Sequence, residues 1–245
     1  ALPKLATPRF SLELPSNGQR ISFRPFLVKE EKALLMATQS EDMLDMIETV
    51  KDVIASCVLD SDIKIESLPY FDLEYIFLNI RAKSIGEIVK LEYRHTGGKN
   101  YLGIECDAVT PVEINLEQVK VIKNEKHTNK IKLDSSIMME MKYPSLDQFI
   151  KNNFDFDNKN AMDQSFELIA SCIDKIFTED EVWSSADVTK KELSDFLESM
   201  NSSQFKDIEK FFETMPKLSH KIKVVNPNTQ VESEVVLEGL ASFFA

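Results

Sequence analysis

An α+β fold follows from two changes in the spacing of apolar residues and from where they fall. Short stretches with a period of two open the chain, occupy its middle and close it, while spacings of three and four fill the intervals between them. No regular strand–helix–strand alternation of the kind that builds a doubly wound parallel sheet runs through the sequence. The expected organisation is an N-terminal hairpin with helices at 1–85, a small antiparallel β module at 86–134, and a mainly helical region with a terminal hairpin at 135–245.

Phe10, Leu12 and Leu14 alternate up to Pro15-Ser16-Asn17-Gly18, and Ile21 and Phe23 alternate after it, which predicts a β-hairpin. Lys29 to Leu59 has room for two helices. The second is marked by Met43, Ile47, Val50, Ile54 and Val58, opposite a polar face of Glu41, Asp45, Glu48, Lys51 and Asp52. A third helix is expected to begin near Asp72, whose carboxylate can cap free N–H groups, and to bury Leu73, Ile76, Phe77 and Ile80. From Gly86 the period returns to two. Val89, Leu91 and Tyr93 lead to Thr96-Gly97-Gly98-Lys99, and Leu102, Ile104, Cys106 and Ala108 continue as the returning strand of a second hairpin. Further extended stretches are expected at Val112–Leu116, Val119–Val121 and Ile131–Leu133, with Ile137, Met139 and Met141 as a possible continuation.

Beyond Tyr143-Pro144, Leu146, Phe149 and Ile150 suggest a short amphipathic turn, and Met162, Phe166, Ile169, Ile173 and Ile176 a longer helical stripe. Thr189 and Glu192 have the spacing of a capping box ahead of Leu193, Phe196, Leu197 and Met200. A last helix over 202–215 uses Phe205, Ile208, Phe211, Phe212 and Met215 and stops at Pro216. His220, Ile222 and Val224, the turn Asn226–Thr229, and Val231 and Val235 then predict the closing hairpin.

Bulk properties narrow the functional classes. Apolar residues make up 43% of the chain, enough to build a true core. With 29 basic and 41 acidic residues the net charge is −12, which repels a phosphate backbone and speaks against nucleic-acid binding. No stretch approaches the length of apolar residues needed to span a bilayer, and the start of the sequence has no signal-peptide hydrophobic region, so a chain outside the membrane and outside the usual export route is expected. Cys57, Cys106 and Cys172 fit neither a disulfide framework nor a compact zinc motif; as members of apolar patterns they are expected to be inert buried thiols in a reducing compartment. His95 and Cys106 flank the central hairpin but supply only two of the four ligands of a structural zinc site. Gly97-Gly98 is the sole adjacent glycine pair and belongs to a turn, not to a phosphate loop. His127 and His220 complete the histidines, His220 as a half-buried strand residue. The acidic groups Glu30-Glu31 and Glu179-Asp180-Glu181 read most simply as solvated faces and helix-end charges. The expectation is a protein without enzymatic activity, cofactor or metal.

Several segments in order resemble the baseplate hub assembly family of T-even-like contractile-tailed bacteriophages, the group of the hub assembly catalyst and a related hub protein. They are Ala1–Pro8, Leu14-Pro-Ser-Asn-Gly18, Phe23-Arg-Pro-Phe-Leu-Val-Lys-Glu-Glu-Lys32, Leu68-Pro-Tyr-Phe-Asp-Leu-Glu-Tyr75, Arg81-Ala-Lys-Ser-Ile-Gly86, Phe211-Phe-Glu-Thr-Met-Pro-Lys-Leu218 and Glu238-Gly-Leu-Ala-Ser-Phe-Phe244. The resemblance implies a late protein that promotes assembly of the baseplate hub, as a catalyst or chaperone of tail assembly, in the host cytoplasm. The alternative it leaves is a permanent structural subunit of the hub in the virion. Implied partners are other phage hub or tail proteins, with a homo-oligomer possible.

Two sets of residues are candidate partner contacts. Arg24, Pro25, Phe26 and Lys29 either end a strand and open a helix as plain structural residues or form a contact surface. Phe211, Phe212, Phe243 and Phe244 supply a density of large rings that suits either an interface or the core.

Overall fold

The computed structural model describes residues 2–148 and 161–243; Phe149, Ile150 and Phe244 lie outside them. Contacts divide the chain into two compact units, each drawn from separated segments: Ala1–Ile63, Phe71–Ile122 and Lys217–Ala245 in the first, Lys64–Tyr70 and Lys123–Pro216 in the second. Both are α+β, and every strand pairing among the described residues is antiparallel, as the apolar spacing predicts.

The first unit opens with strands β1 (Phe10–Glu13) and β2 (Arg20–Phe23), paired Phe10 to Phe23 and Leu12 to Ile21. Gly18 takes φ 73° in the turn between them, a left-handed conformation that glycine adopts without a Cβ penalty. Leu12, Leu14, Ile21 and Phe23 are buried, so the alternation of the sequence is the alternation of the core face. Helices α1 (Val28–Ser40) and α2 (Met43–Cys57) follow as a helical hairpin, the second capped by the Asp42 carboxylate, which accepts from the N–H groups of Leu44 and Asp45. Helix α3 (Tyr70–Ile85) is buried on nearly every side, including Phe71, Leu73, Ile76, Phe77, Leu78 and Ile80.

Asp72 is not the start of α3. The helix begins two residues earlier, at Tyr70, and Asp72 is fully buried within its first turn. Its carboxylate accepts from both the N–H and the hydroxyl of Ser16, in the turn of the first hairpin. A buried acid needs such partners, and the nearest suitable pair comes from a residue far away in sequence.

Strands β3 (Ile88–His95) and β4 (Ala108–Asn115) form the second hairpin, but its connection is the whole of residues 96–107, not a turn at 96–99. The reason is side-chain capture of backbone donors. Asn100 accepts from the N–H groups of Leu102 and Ile104, and Asp107 from those of Gly97 and Gly98, which removes Leu102, Ile104 and Cys106 from the ladder. Strand β5 (Lys120–Ile122) pairs with β10 (Lys217–Val225), and β10 with β11 (Glu232–Glu238), giving a three-stranded sheet ordered β11-β10-β5. Leu78, Ala82, Val89, Ile114, Leu116, Val119 and Leu218 close one core around Phe243, which ends the short 3-10 turn Leu240–Phe243.

In the second unit a four-stranded sheet is ordered β6-β7-β8-β9, from Lys130–Lys132, Met138–Met141, Ile173–Phe177 and Val182–Ser184. Helices α4 (Ala161–Ser171), α5 (Lys190–Glu198) and α6 (Ser202–Thr214) belong to the same unit. The helical stripe expected to run through Ile173 and Ile176 stops at Ser171, and these two residues lie on β8. Their misleading spacing has a structural origin. A β-bulge between Glu140 and Met141 pairs Met139 with Ile176 but Met141 with Ile173, so residues three apart both turn inward, as they would on a helix. The capping box at Thr189 and Glu192 is formed, and Asn201 with Gln204 makes a second one at the start of α6. The Gln204 side-chain amide also donates to the Leu133 carbonyl, tying that helix to the segment after β6.

Asp72→Ala removes the acceptor for both Ser16 donors and is expected to destabilise the protein by about 1–3 kcal/mol in denaturant unfolding. Hydrogen exchange should at the same time show lost amide protection across residues 10–23. Unchanged protection in a destabilised variant would place the Asp72 contribution elsewhere.

Candidate functional site

The corner between β2 and α1 gathers the first set of candidate residues. Arg24 leaves the hairpin with its N–H donating to the Cys57 carbonyl, and its guanidinium turns back over the start of α1. Nη2 donates to Glu30 Oε1 at 2.9 Å, and Nη1 to the Pro25 carbonyl at 2.9 Å. The Glu30 carboxylate, only 4% exposed, also accepts from the Leu27 N–H at 2.7 Å, so it serves a free donor at the helix start. Burial pushes the Glu30 carboxyl up, yet the hydrogen bonds from Arg24 and Leu27 and the charges of Arg24 and Lys29 hold it below the usual glutamate value. The sequence Lys29-Glu30-Glu31-Lys32 is therefore not uniformly solvated, because Glu30 is interior.

The remaining members of the corner divide by exposure. Phe26 is half-buried, stacks obliquely on Phe77 of α3 with centroids 5.9 Å apart, and its N–H donates to Ser84 Oγ. Arg24, Pro25 and Phe26 thus have structural work, whereas Lys29 stands with its side chain 70% exposed and only a long contact, 3.5 Å, to Glu30.

The aromatic candidates separate between the two units. Phe243 is fully buried in the first and Phe211 almost so in the second, so neither ring is open at the surface. Phe212 is half-buried beside Phe211 in an edge-on contact at 5.1 Å. Phe211 also packs against Tyr143 and His127 at centroid distances of 5.6 and 5.2 Å. Both ring nitrogens of His127 are hydrogen-bonded, Nδ1 to Thr214 Oγ1 and Nε2 to Tyr143 OH, each at 2.9 Å, and burial lowers its pKa. His127 is half-buried, whereas His95 is buried, with Nε2 at 2.8 Å from Thr110 Oγ1.

The thiols of Cys57 and Cys172 are pushed up to about 11 by burial, which leaves them protonated and weakly nucleophilic at neutral pH. Among the described residues no group of three or more His, Cys, Asp or Glu side chains is arranged to hold a metal ion, and no helix is long and apolar enough to cross a membrane.

A profile of the family described as T4 bacteriophage base plate protein matches residues 7–245, both units included. The chain belongs to that family. No curated protein and no solved structure matches it. As a phage baseplate protein it carries two of the resemblance blocks on regular elements: the Phe23–Lys32 block is the β2–α1 corner, and the Leu68–Tyr75 block is the entry to α3.

One important residue escaped the sequence reading. Glu74, on α3, is buried beside the C-terminal turn, where Oε2 accepts from the Leu240 N–H. Burial pushes its carboxyl up to about 7, and that hydrogen bond offsets the shift only in part. The available signal was an acid in the N-terminal half of a helix that is apolar on nearly every side, a placement that a solvated face does not explain.

Two outcomes are expected at these sites. Arg24→Met leaves the interior Glu30 carboxylate with only the Leu27 N–H and the distant Lys29 ammonium and should cost about 2 kcal/mol, most of it recovered in Arg24→Met/Glu30→Gln; a double-mutant cycle measures the coupling, and additive losses would contradict it. For Glu74 the folded pKa lies above the unfolded one, so folding is favoured most below the unfolded value. Stability then falls, on the order of 3 kcal/mol, as pH rises through about 7. Glu74→Gln keeps an acceptor for Leu240 and should flatten that fall in urea unfolding between pH 5 and 8; parallel pH curves for the two proteins would show that Glu74 does not titrate as described.

Proposed function

We propose that the protein is a baseplate hub assembly factor, a catalyst or chaperone of tail assembly that works through protein–protein contacts in the host cytoplasm. The observation that carries this reading is the family match along residues 7–245, joined to the ordered blocks that resemble the hub assembly group. Its partners on this reading are other hub or tail proteins of the phage.

The chemistry of the side chains supports a role in binding over one in bond-making. The Cys57 and Cys172 thiols stay protonated at neutral pH, and His127 is held between two hydroxyls with no carboxylate in the bonds that orient it. An acidic chain at −12 also stays soluble while it meets successive partners, and repels nucleic acid.

Quantitative mass spectrometry tests the reading against that of a permanent hub subunit. The chain should be abundant in hub intermediates isolated from cells arrested during tail assembly, and absent from purified mature virions. Retention in virions at a fixed ratio to hub proteins would instead make it a structural subunit. Purified protein carrying alanine at His95, His127 or His220 should still promote assembly wherever folding is intact.

A further inference from the structure

Helix α1 is weakly used by its own fold. Of its 13 residues only Glu30 and Ala37 are buried, although it carries several large apolar side chains. Leu35 and Met36, in its C-terminal half, are 59% and 62% exposed, and Met43, the first residue of α2, is 66% exposed. Met43 directly follows the Glu41–Asp42 link of the helical hairpin, and Leu35 and Met36 lie one to two turns before it. A helix of this length is marginal in water unless an apolar face is covered.

The link and the turns beside it are acidic, bounded by Lys32 one turn before Leu35 and Met36 and by Lys51 one turn after Glu48. Between Lys32 and Lys51 there is no lysine or arginine, while Glu41, Asp42, Asp45 and Glu48 all fall within the interval. Asp42 is engaged in capping and Asp45 accepts from the Ser40 hydroxyl, but Glu41 and Glu48 are exposed on the same hairpin. We propose that the closed end of the α1–α2 hairpin, with Leu35, Met36 and Met43 at its centre and Glu41 and Glu48 at its rim, docks a basic amphipathic helix of another baseplate protein. The proposal rests on the baseplate reading above and adds the site and the chemistry of the partner.

Charge decides the sign of the occupant, because a second copy would bring the same acids against this rim and be repelled. Backbone decides its conformation. Two α-helices offer an incoming strand no row of free N–H and C=O groups, whereas an amphipathic helix satisfies its own backbone and brings an apolar stripe. Methionines suit such a surface, since an unbranched thioether side chain adapts to the shape laid against it.

Binding of a fluorescent, helix-forming peptide with leucines on one face and lysines on the other, titrated with the full chain, tests the proposal. The control peptide has each lysine replaced by glutamate. Saturable binding of the basic peptide alone is expected, weakened at high salt. Leu35→Ser/Met36→Ser/Met43→Ser should lower affinity at least tenfold, and so should Glu41→Lys/Glu48→Lys, which leaves the apolar residues in place. Glu92→Lys/Glu105→Lys, reversing exposed acids on the second hairpin, should stay within twofold of the wild type. Circular dichroism confirms that each variant keeps its helices. The proposal is overturned if neither peptide binds, if both bind alike, if the control reversal costs as much as the patch variants, or if sedimentation shows a dimer that the triple serine variant dissolves. Co-purification of the chain with hub intermediates is independent of the peptide, so a failure confined to the peptide removes the docking site and leaves the baseplate reading standing.

Discussion

Burial of helix α3 is the constraint around which the first unit is organised. A helix apolar on nearly every side has to be covered on every side, and two of the groups it takes inside are carboxyls. Asp72 finds Ser16 in the first hairpin, and Glu74 finds the Leu240 N–H in the last turn of the described chain. Leaving either carboxyl without a donor would cost several kcal/mol, so the two acids specify where both ends of the unit must lie. Aliphatic packing alone would not select those partners, because apolar contacts carry no direction.

The two bonds differ in what they ask of the proton. Asp72 receives two donors from one serine. Glu74 receives one backbone N–H in a buried setting, and its pKa moves toward neutrality. The Gly239 position shows how close the contact is: a Cβ added there would meet Glu74 Oε2 at 3.4 Å, and Gly239 itself has φ 75°, which a glycine adopts readily. The Glu238-Gly-Leu block of the family resemblance is therefore a structural latch for Phe243 as well as a signature.

The surface tells a different story from the cores. Phe211 and Phe243, two of the rings offered by the sequence as anchors, are spent inside, and the Arg24–Glu30 pair is consumed in joining β2 to α1. Of the candidate contacts Lys29, on the first turn of α1, stands outward, and Leu35, Met36 and Met43 are exposed on the same helical hairpin. Of the 13 residues of α1 only Glu30 and Ala37 are buried, so this helix gives its own fold little of its apolar surface.

The α+β class, both terminal hairpins, the paired helices at 28–57 and the capping box at Thr189 are legible in the amino-acid order, because each follows from a local period or from a cap within a few residues. It also carried the baseplate family, through blocks that need no three-dimensional information. The roles of Asp72 and Glu74 emerge only in the folded chain, since the partners that define them are distant in sequence. The same holds for Ile173 and Ile176, whose helix-like spacing is produced by a bulge that exists only when β8 pairs with β7. Exposure of α1 and burial of Phe243 were equally out of reach: an apolar residue reads alike in sequence whether the fold covers it or leaves it for another chain, and only the packing around it separates the two.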